Sequence, residues 1–213
     1  MNIVVIDYGI GNIKSIKNAF AEFGVKVILS REKEDILNAN GVILPGVGAF
    51  SHGMNNLIKY NLVSVISEYV KTNKPLLGIC LGMQMMLEES EEFGITKGLG
   101  LIKGKVIKIP VDETKKVKLP HISWNGIKVK NINWESTILE NIPEDSDMYF
   151  VHTYVANPDN ENETLSVTKY AGVEFCSSIK KNNIYGCQFH PEKSSKKGLT
   201  IINNFIKIVK EYV

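Results

Sequence analysis

Three short, unbroken apolar runs, each ending in a glycine-bearing turn, restrict this chain to a narrow set of folds. Ile3-Val4-Val5-Ile6 runs into Asp7-Tyr8-Gly9-Ile10-Gly11-Asn12, and Val42-Ile43-Leu44 runs into Pro45-Gly46-Val47-Gly48. Pro75-Leu76-Leu77 leads to Gly78-Ile79-Cys80-Leu81-Gly82-Met83-Gln84. Strands that are apolar at every position are covered on both faces, as parallel sheets are. Helical patterns lie between them. Ile13, Ile16, Phe20 and Phe23 recur as one stripe that Gly24 stops, and residues 25–29 read as a second strand. A weaker helical segment surrounds Ile36 and Leu37, and residues 54–70 read as two helical pieces. This alternation predicts an α/β fold: right-handed β-α-β units building a mostly parallel central sheet with helices on both faces. Ligands of such sheets bind beyond the carboxyl ends of the strands, so the three glycine turns should converge.

After residue 100 the pattern changes. Short β-prone pieces at residues 106–107, 126–129, 148–155, 165–170, 174–179 and 184–189 alternate with polar loops, the longest at 157–164. They predict a mixed or antiparallel β extension of the sheet. Leu199, Ile202, Phe205 or Ile206, and Val209 then mark a closing amphipathic helix. No linker or repeat interrupts the chain, so residues 1–213 are expected to form a single domain.

A formal charge of +2, from 25 basic and 23 acidic residues, argues against nucleic acid or a membrane as the main partner. The three cysteines, Cys80, Cys176 and Cys187, include no Cys-x-x-Cys pair. Neither a disulfide framework nor a zinc site is indicated, and a cytoplasmic location fits this usage. Residues 2–8 contain Asp7 and no basic leader, and no apolar stretch is long enough to span a bilayer.

The segment around Cys80 is a strand, a sharp turn and a helix start, with Gly78 and Gly82 two residues to either side. That is the arrangement of a nucleophile elbow, with sulfur in place of a serine oxygen. A helix N-terminus would also favour the thiolate. By itself the pattern fits a buried structural cysteine equally well. A nucleophile needs a base, and among His52, His121, His152 and His190 the last has the most telling context, Gln188-Phe189-His190-Pro191-Glu192. Pro191 keeps His190 extended, and residues two apart in an extended segment share a face, so Glu192 is expected beside the imidazole. Nucleophile, base and orienting carboxylate then occur in the order Cys80, His190, Glu192. An exposed turn is the plainer reading of His-Pro-Glu taken alone. The backbone N–H of Leu81 and the turn Gly46-Val47-Gly48 are candidate oxyanion donors, although an ordinary glycine turn would look the same. The Cys80, His190 and Glu192 spacing matches no common zinc pattern, so no metal is expected.

These residues resemble the class I (triad) glutamine amidotransferases. The resemblance narrows to glutaminase subunits of imidazole glycerol phosphate synthases through Asp7-Tyr8-Gly9, Gly11-Asn12, Pro45 to Phe50, Pro120-His121, Trp124-Asn125, Tyr149 to His152 and Gln188 to Ser194. It spans nearly the whole chain. It implies a flavodoxin-like sheet and hydrolysis of glutamine to glutamate and ammonia without a cofactor. Cys80 would be the nucleophile, His190 the general acid and base, and Glu192 its orienting residue. Gln84 and the Thr153-Tyr154 backbone would hold the α-amino and carboxylate groups of glutamine. Gly46, Val47 and Gly48 would supply oxyanion donors, and Asn12, Trp124 and Asn125 would face a partner.

That partner is implied to be a cyclase subunit with a β/α barrel, forming a heterodimer that makes imidazole glycerol phosphate and a purine precursor in histidine biosynthesis. The chain departs from the family pattern at Ser123, where glycine is usual, and at Thr153, where serine is usual. The first departure leaves open a similar glutaminase serving a sugar-amidating synthase of surface-polysaccharide pathways. A stand-alone cysteine hydrolase of the same fold is a further alternative.

Overall fold

The structure, a computed structural model, describes residues 1–112, 114 and 116–213. Its first strands and helices alternate: β1 (Ile3–Ile6), α1 (Ile13–Ala21), β2 (Ile28–Ser30), α2 (Lys33–Asn38), β3 (Gly41–Leu44), α3 (Phe50–Lys59), α4 (Leu62–Lys71), β4 (Leu76–Ile79) and α5 (Leu81–Gln84). Strands then predominate: β5 (Glu89–Ser90), β6 (Thr96–Lys97), β7 (Gly104–Lys108), β8 (His121–Val129), β9 (Ser146–His152), β10 (Tyr154–Pro158), β11 (Thr164–Tyr170), β12 (Val173–Lys181) and β13 (Ile184–Cys187), before α6 (Ser195–Lys210).

Among the described residues, nine strands form one sheet in the order β2-β1-β3-β4-β13-β12-β11-β8-β9. The pairings from β2 to β13 are parallel and those beyond are antiparallel. Alternation along β1 explains why the parallel part is buried on both sides. Ile3 and Val5 pack with Phe20 of α1 and Phe205 and Val209 of α6. Val4 and Ile6 pack on the other face with Phe50 and Leu57 of α3 and Ile66 and Tyr69 of α4. Each such side chain contributes about 1.5–3 kcal/mol relative to exposure.

The antiparallel extension is present, and beside it stands a second, four-stranded sheet, β10-β7-β5-β6, that the periodicity does not signal. The expected strand over 148–155 is accordingly two strands. The chain leaves the large sheet at Thr153, whose carbonyl accepts the N–H of Ile109, and enters the small one at Tyr154. The second strand starts later than expected, at Ile28. Gly24, in the left-handed region, closes α1 with its own amide and that of Val25 bonded back to Ala21 and Phe20, so the turn consumes the intervening residues. Phe23 falls beyond α1 and is partly exposed. The last strand stops at Cys187 rather than residue 189, because the amide of Gln188 turns to the carbonyl of Ser177. No helix among the described residues is long and apolar enough to cross a membrane.

Candidate active site

The site is built where β4 and β13 end side by side. They run parallel with Ile79 opposite Cys187, and the amide of Cys80 donates to the Cys187 carbonyl at 2.7 Å. Cys80 takes φ 53° and ψ −110°, a conformation costly for any residue with a Cβ. Two glycines make the sharp turn possible. A Cβ on Gly82 would stand 1.9 Å from the carbonyl oxygen of Leu44, and one on Gly78 would stand 2.8 Å from the amide nitrogen of Met83. The helix after the elbow is a single turn, Leu81–Gln84, so Met86 and Leu87 are buried beyond it rather than on it. The helix-dipole contribution anticipated from the sequence is correspondingly small.

His190 follows β13 by three residues, and its amide is anchored to the carbonyl of Tyr149 on β9. Glu192 lies beside it, with Nδ1 of His190 2.8 Å from Oε1 and both side chains almost fully buried. The pairing is not made across an extended segment: Pro191–Lys193 form one 3-10 turn, which brings the carboxylate round to the ring. The Ser194 hydroxyl braces this turn, donating to the His190 carbonyl at 2.7 Å and accepting the amide of Tyr149 at 3.0 Å. Gly198 of α6 packs beneath, where a Cβ would meet the Pro191 carbonyl oxygen at 1.9 Å. Burial lowers the pKa of His190, but hydrogen bonding and charge from Cys80 and Glu192 outweigh it and raise the imidazole to about 10. The imidazolium is therefore favoured at neutral pH. Its Nε2 is buried without a hydrogen-bond partner in good geometry, although the Cys80 sulfur is near enough to act on the ring.

Cys80, Leu81 and His190 border a cavity of about 280 Å³, completed by Val47, Gly48, Gln84, Glu92, Pro120, Val151, His152, Thr153 and Tyr154. Gly46 lies behind the wall, where a Cβ would stand 2.7 Å from the Gly82 nitrogen and 2.9 Å from the Tyr8 hydroxyl. Gly48 has φ +90° and open space around it. Nε2 of Gln84 donates to the Tyr154 carbonyl and to Oε1 of Gln188, both at 2.9 Å. Cys176 and Cys187 are buried with raised pKa values, so Cys80 is the thiol that borders this cavity. Among the described residues no group of three or more His, Cys, Asp or Glu side chains could hold a metal ion.

The other sequence-selected residues lie apart from the cavity wall. Asn12 precedes α1 and is half-buried. Trp124 is not a core aromatic: it is 47% exposed and packs edge-on against Tyr149 at 5.9 Å between ring centroids. Asn125, next to it, turns inward, with Nδ2 2.8 Å from Nε2 of His121. Sequence reasoning missed Glu92, Gln188 and Ser194. Glu92 belongs to a run of acids with no feature to single it out, yet its carboxylate accepts the amide of Phe50 at 2.6 Å and borders the cavity. Gln188 donates toward the Cys80 sulfur at 3.7 Å.

His121 and His152 are buried together, and desolvation lowers them to about 4 and about 3. Both stay neutral in the folded state while the unfolded chain takes up protons below its ordinary histidine value of 6.5. Stability contributed by these two residues is thus complete above that value and is lost progressively as pH falls toward 4 and 3. The expected loss at pH 5 is about 2 kcal/mol per histidine relative to pH 8. His190, raised to about 10, works in the opposite direction over this range, so the check is a difference between variants. His121→Asn should reduce the pH 8 to pH 5 loss of urea-measured stability by about 2 kcal/mol, and an unchanged loss would contradict the burial argument.

The Glutamine amidotransferase class-I family matches residues 4–209. The chain is 45% identical over 211 residues to the imidazole glycerol phosphate synthase subunit HisH 1 of Legionella pneumophila (strain Lens), covering 97% of this chain and 99% of that protein. It is 43% identical to the imidazole glycerol phosphate synthase subunit HisH of Lactococcus lactis subsp. lactis, covering 96% and 98%. Among solved structures, a glutamine amidotransferase from Thermotoga maritima superposes with a TM-score of 0.62 at 17% identity, covering 99% of this chain and 83% of that one. At that identity the likeness concerns the fold alone.

Proposed function

The chain belongs to the class-I glutamine amidotransferase family, and from that premise we propose that it is the glutaminase subunit of an imidazole glycerol phosphate synthase, acting in histidine biosynthesis. The observation that carries the mechanism is the meeting of Cys80 and His190 at one cavity bordered by Gln84 and Glu92, with the Glu192 carboxylate behind the ring at 2.8 Å from Nδ1 of His190. The Cys80 thiolate attacks the side-chain amide carbon of glutamine. N–H groups of Leu81 and of the Gly46-Val47-Gly48 turn hold the oxyanion. The tetrahedral intermediate collapses as the His190 imidazolium gives its proton to the departing ammonia, leaving a thioester. Neutral His190 then takes a proton from water; the resulting hydroxide attacks the thioester carbon, and glutamate leaves as the thiolate is restored. Glu192 keeps the ring oriented and stabilises its charged form.

The carboxylate of Glu92 suits the α-ammonium of glutamine. Both hydrogens of the Gln84 amide are already engaged, so this side chain offers the substrate its carbonyl oxygen. The carbonyls of Thr153 and Tyr154 also have donors, which favours N–H groups of that segment as the contacts to the α-carboxylate.

Ammonia goes to a cyclase subunit with a β/α barrel, joined to this chain as a heterodimer. Exposed Trp124 belongs to the face that meets it, to which the family pattern also assigns Asn12 and Asn125. Free ammonia is mostly protonated near neutral pH and useless as a nucleophile, so a shielded passage is needed. Cytoplasmic residence fits this role. Identity above 40% along nearly the full length to HisH proteins favours the histidine-pathway cyclase over a sugar-amidating synthase, Ser123 notwithstanding. The test is glutamate formation from glutamine with the chain alone, with the cyclase subunit, and with that subunit loaded with its ribulosyl substrate. Stimulation by the loaded cyclase is expected. Equal turnover in all three would favour the stand-alone hydrolase instead.

A further inference from the structure

A line of hydrogen bonds with only one consistent direction joins the outer strands to the elbow. His152 Nδ1 lies 3.0 Å from the Tyr154 carbonyl oxygen, which can only accept, so Nδ1 carries the proton. Neutral His152 must then accept at Nε2, and its partner there, Nδ1 of His121 at 3.0 Å, must donate. Neutral His121 in turn accepts at Nε2, where the Asn125 side-chain amide donates at 2.8 Å. The Tyr154 carbonyl also accepts from Gln84, whose second hydrogen goes to Gln188, whose own amide points at the Cys80 sulfur. No link can reverse without placing two donors or two acceptors face to face.

The setting enforces this arrangement. His121 is fully buried and lies between the rings of Tyr170 and Phe150, at 4.1 and 5.1 Å between centroids and near-parallel to both. His152 borders the cavity, and the burial that lowers both histidines keeps them neutral, as the single direction requires.

We propose that Asn125, His121 and His152 are positioning residues for glutamine hydrolysis, a fixed-tautomer chain that holds the Tyr154 carbonyl, and through it Gln84 and Gln188, in register with Cys80. The proposal rests on the glutaminase reading. None of the three touches the reacting atoms. Their effect falls on the subsite built from Gln84 and the Thr153-Tyr154 segment.

The test uses the chain in complex with the cyclase partner, with glutamate release as the readout. His121→Phe keeps a ring between Tyr170 and Phe150 but leaves the Nε2 acceptor of His152 unpaired. The expected result is a roughly tenfold rise in KM for glutamine with kcat changed less than threefold, as one buried unpaired acceptor can produce. Partial misfolding would lower kcat at unchanged KM, and that outcome, like unchanged kinetics, would overturn the proposal. His121→Asn, whose amide can donate where Nδ1 did, should recover most of the KM. Nitrogen-15 spectra of the free chain give a readout independent of activity: His121 and His152 should both be neutral Nδ1–H tautomers at pH 7, and an Nε2–H form of either overturns the chain of bonds. Failure of the wild-type complex to release glutamate would instead sink the glutaminase reading, leaving the tautomer result to stand or fall by itself.

Discussion

Cys80→Ala is expected to abolish glutamine hydrolysis, lowering kcat by about four orders of magnitude or more, the scale seen when a covalent nucleophile is removed. No other group can take over. Cys176 and Cys187 are buried with their thiols pushed toward the neutral form. The other polar side chains bordering the cavity are two histidines, one amide, one carboxylate and the hydroxyls of Thr153 and Tyr154, which are poorer nucleophiles than a thiolate. The substitution removes one sulfur atom from a backbone held by the Cys187 carbonyl and by glycine packing, so the fold and the exposed surface around Trp124 remain. Glutamate release by the assembled enzyme and complex formation by gel filtration check the two halves of this expectation. Activity within tenfold of wild type would refute the assignment of Cys80.

The second large effect is structural. Gly82→Ala should lower stability by about 3 kcal/mol, the upper part of the usual overpacking range, because the new methyl group meets the Leu44 carbonyl oxygen at 1.9 Å. The obstacle is backbone within the sheet, which has no rotamer to change. For a chain of this size, the midpoint of thermal unfolding should fall by about 10 °C. Relief of the clash must move either α5 or the end of β3, and with them the elbow or the Pro45-Gly46-Val47-Gly48 turn. Activity should therefore drop even well below the unfolding temperature. Gly172→Ala, at a position with open space, is the comparison that isolates collision, since its cost comes only from a left-handed backbone. Equal destabilisation by the two would remove close packing as the reason for glycine at position 82.

The parallel half of the fold was legible because burial on both faces leaves a plain mark: β1, β3 and β4 are apolar at nearly every position. The elbow was legible because sharp backbone geometry demands glycine. His190 and Glu192 were legible as a pair, but not the 3-10 turn that joins them, since proximity alone does not distinguish the two geometries. The second sheet escaped notice because a strand that changes sheets at Thr153 keeps its β-prone composition throughout. Glu92 had no local signal at all. An acid among acids becomes a cavity wall only through the packing of a loop against the start of α3.

Gly198 and Ser194 give the C-terminal helix an influence on chemistry that its distance from Cys80 along the chain conceals. A ribosome would produce Cys80 more than a hundred residues before His190, and the turn bearing His190 gains its packing against Gly198 only once α6 has docked. The half-made polypeptide would thus carry an idle thiol, and competence to split glutamine would arrive in one late step. Ammonia would not be set loose by nascent chains with no enzyme ready to receive it.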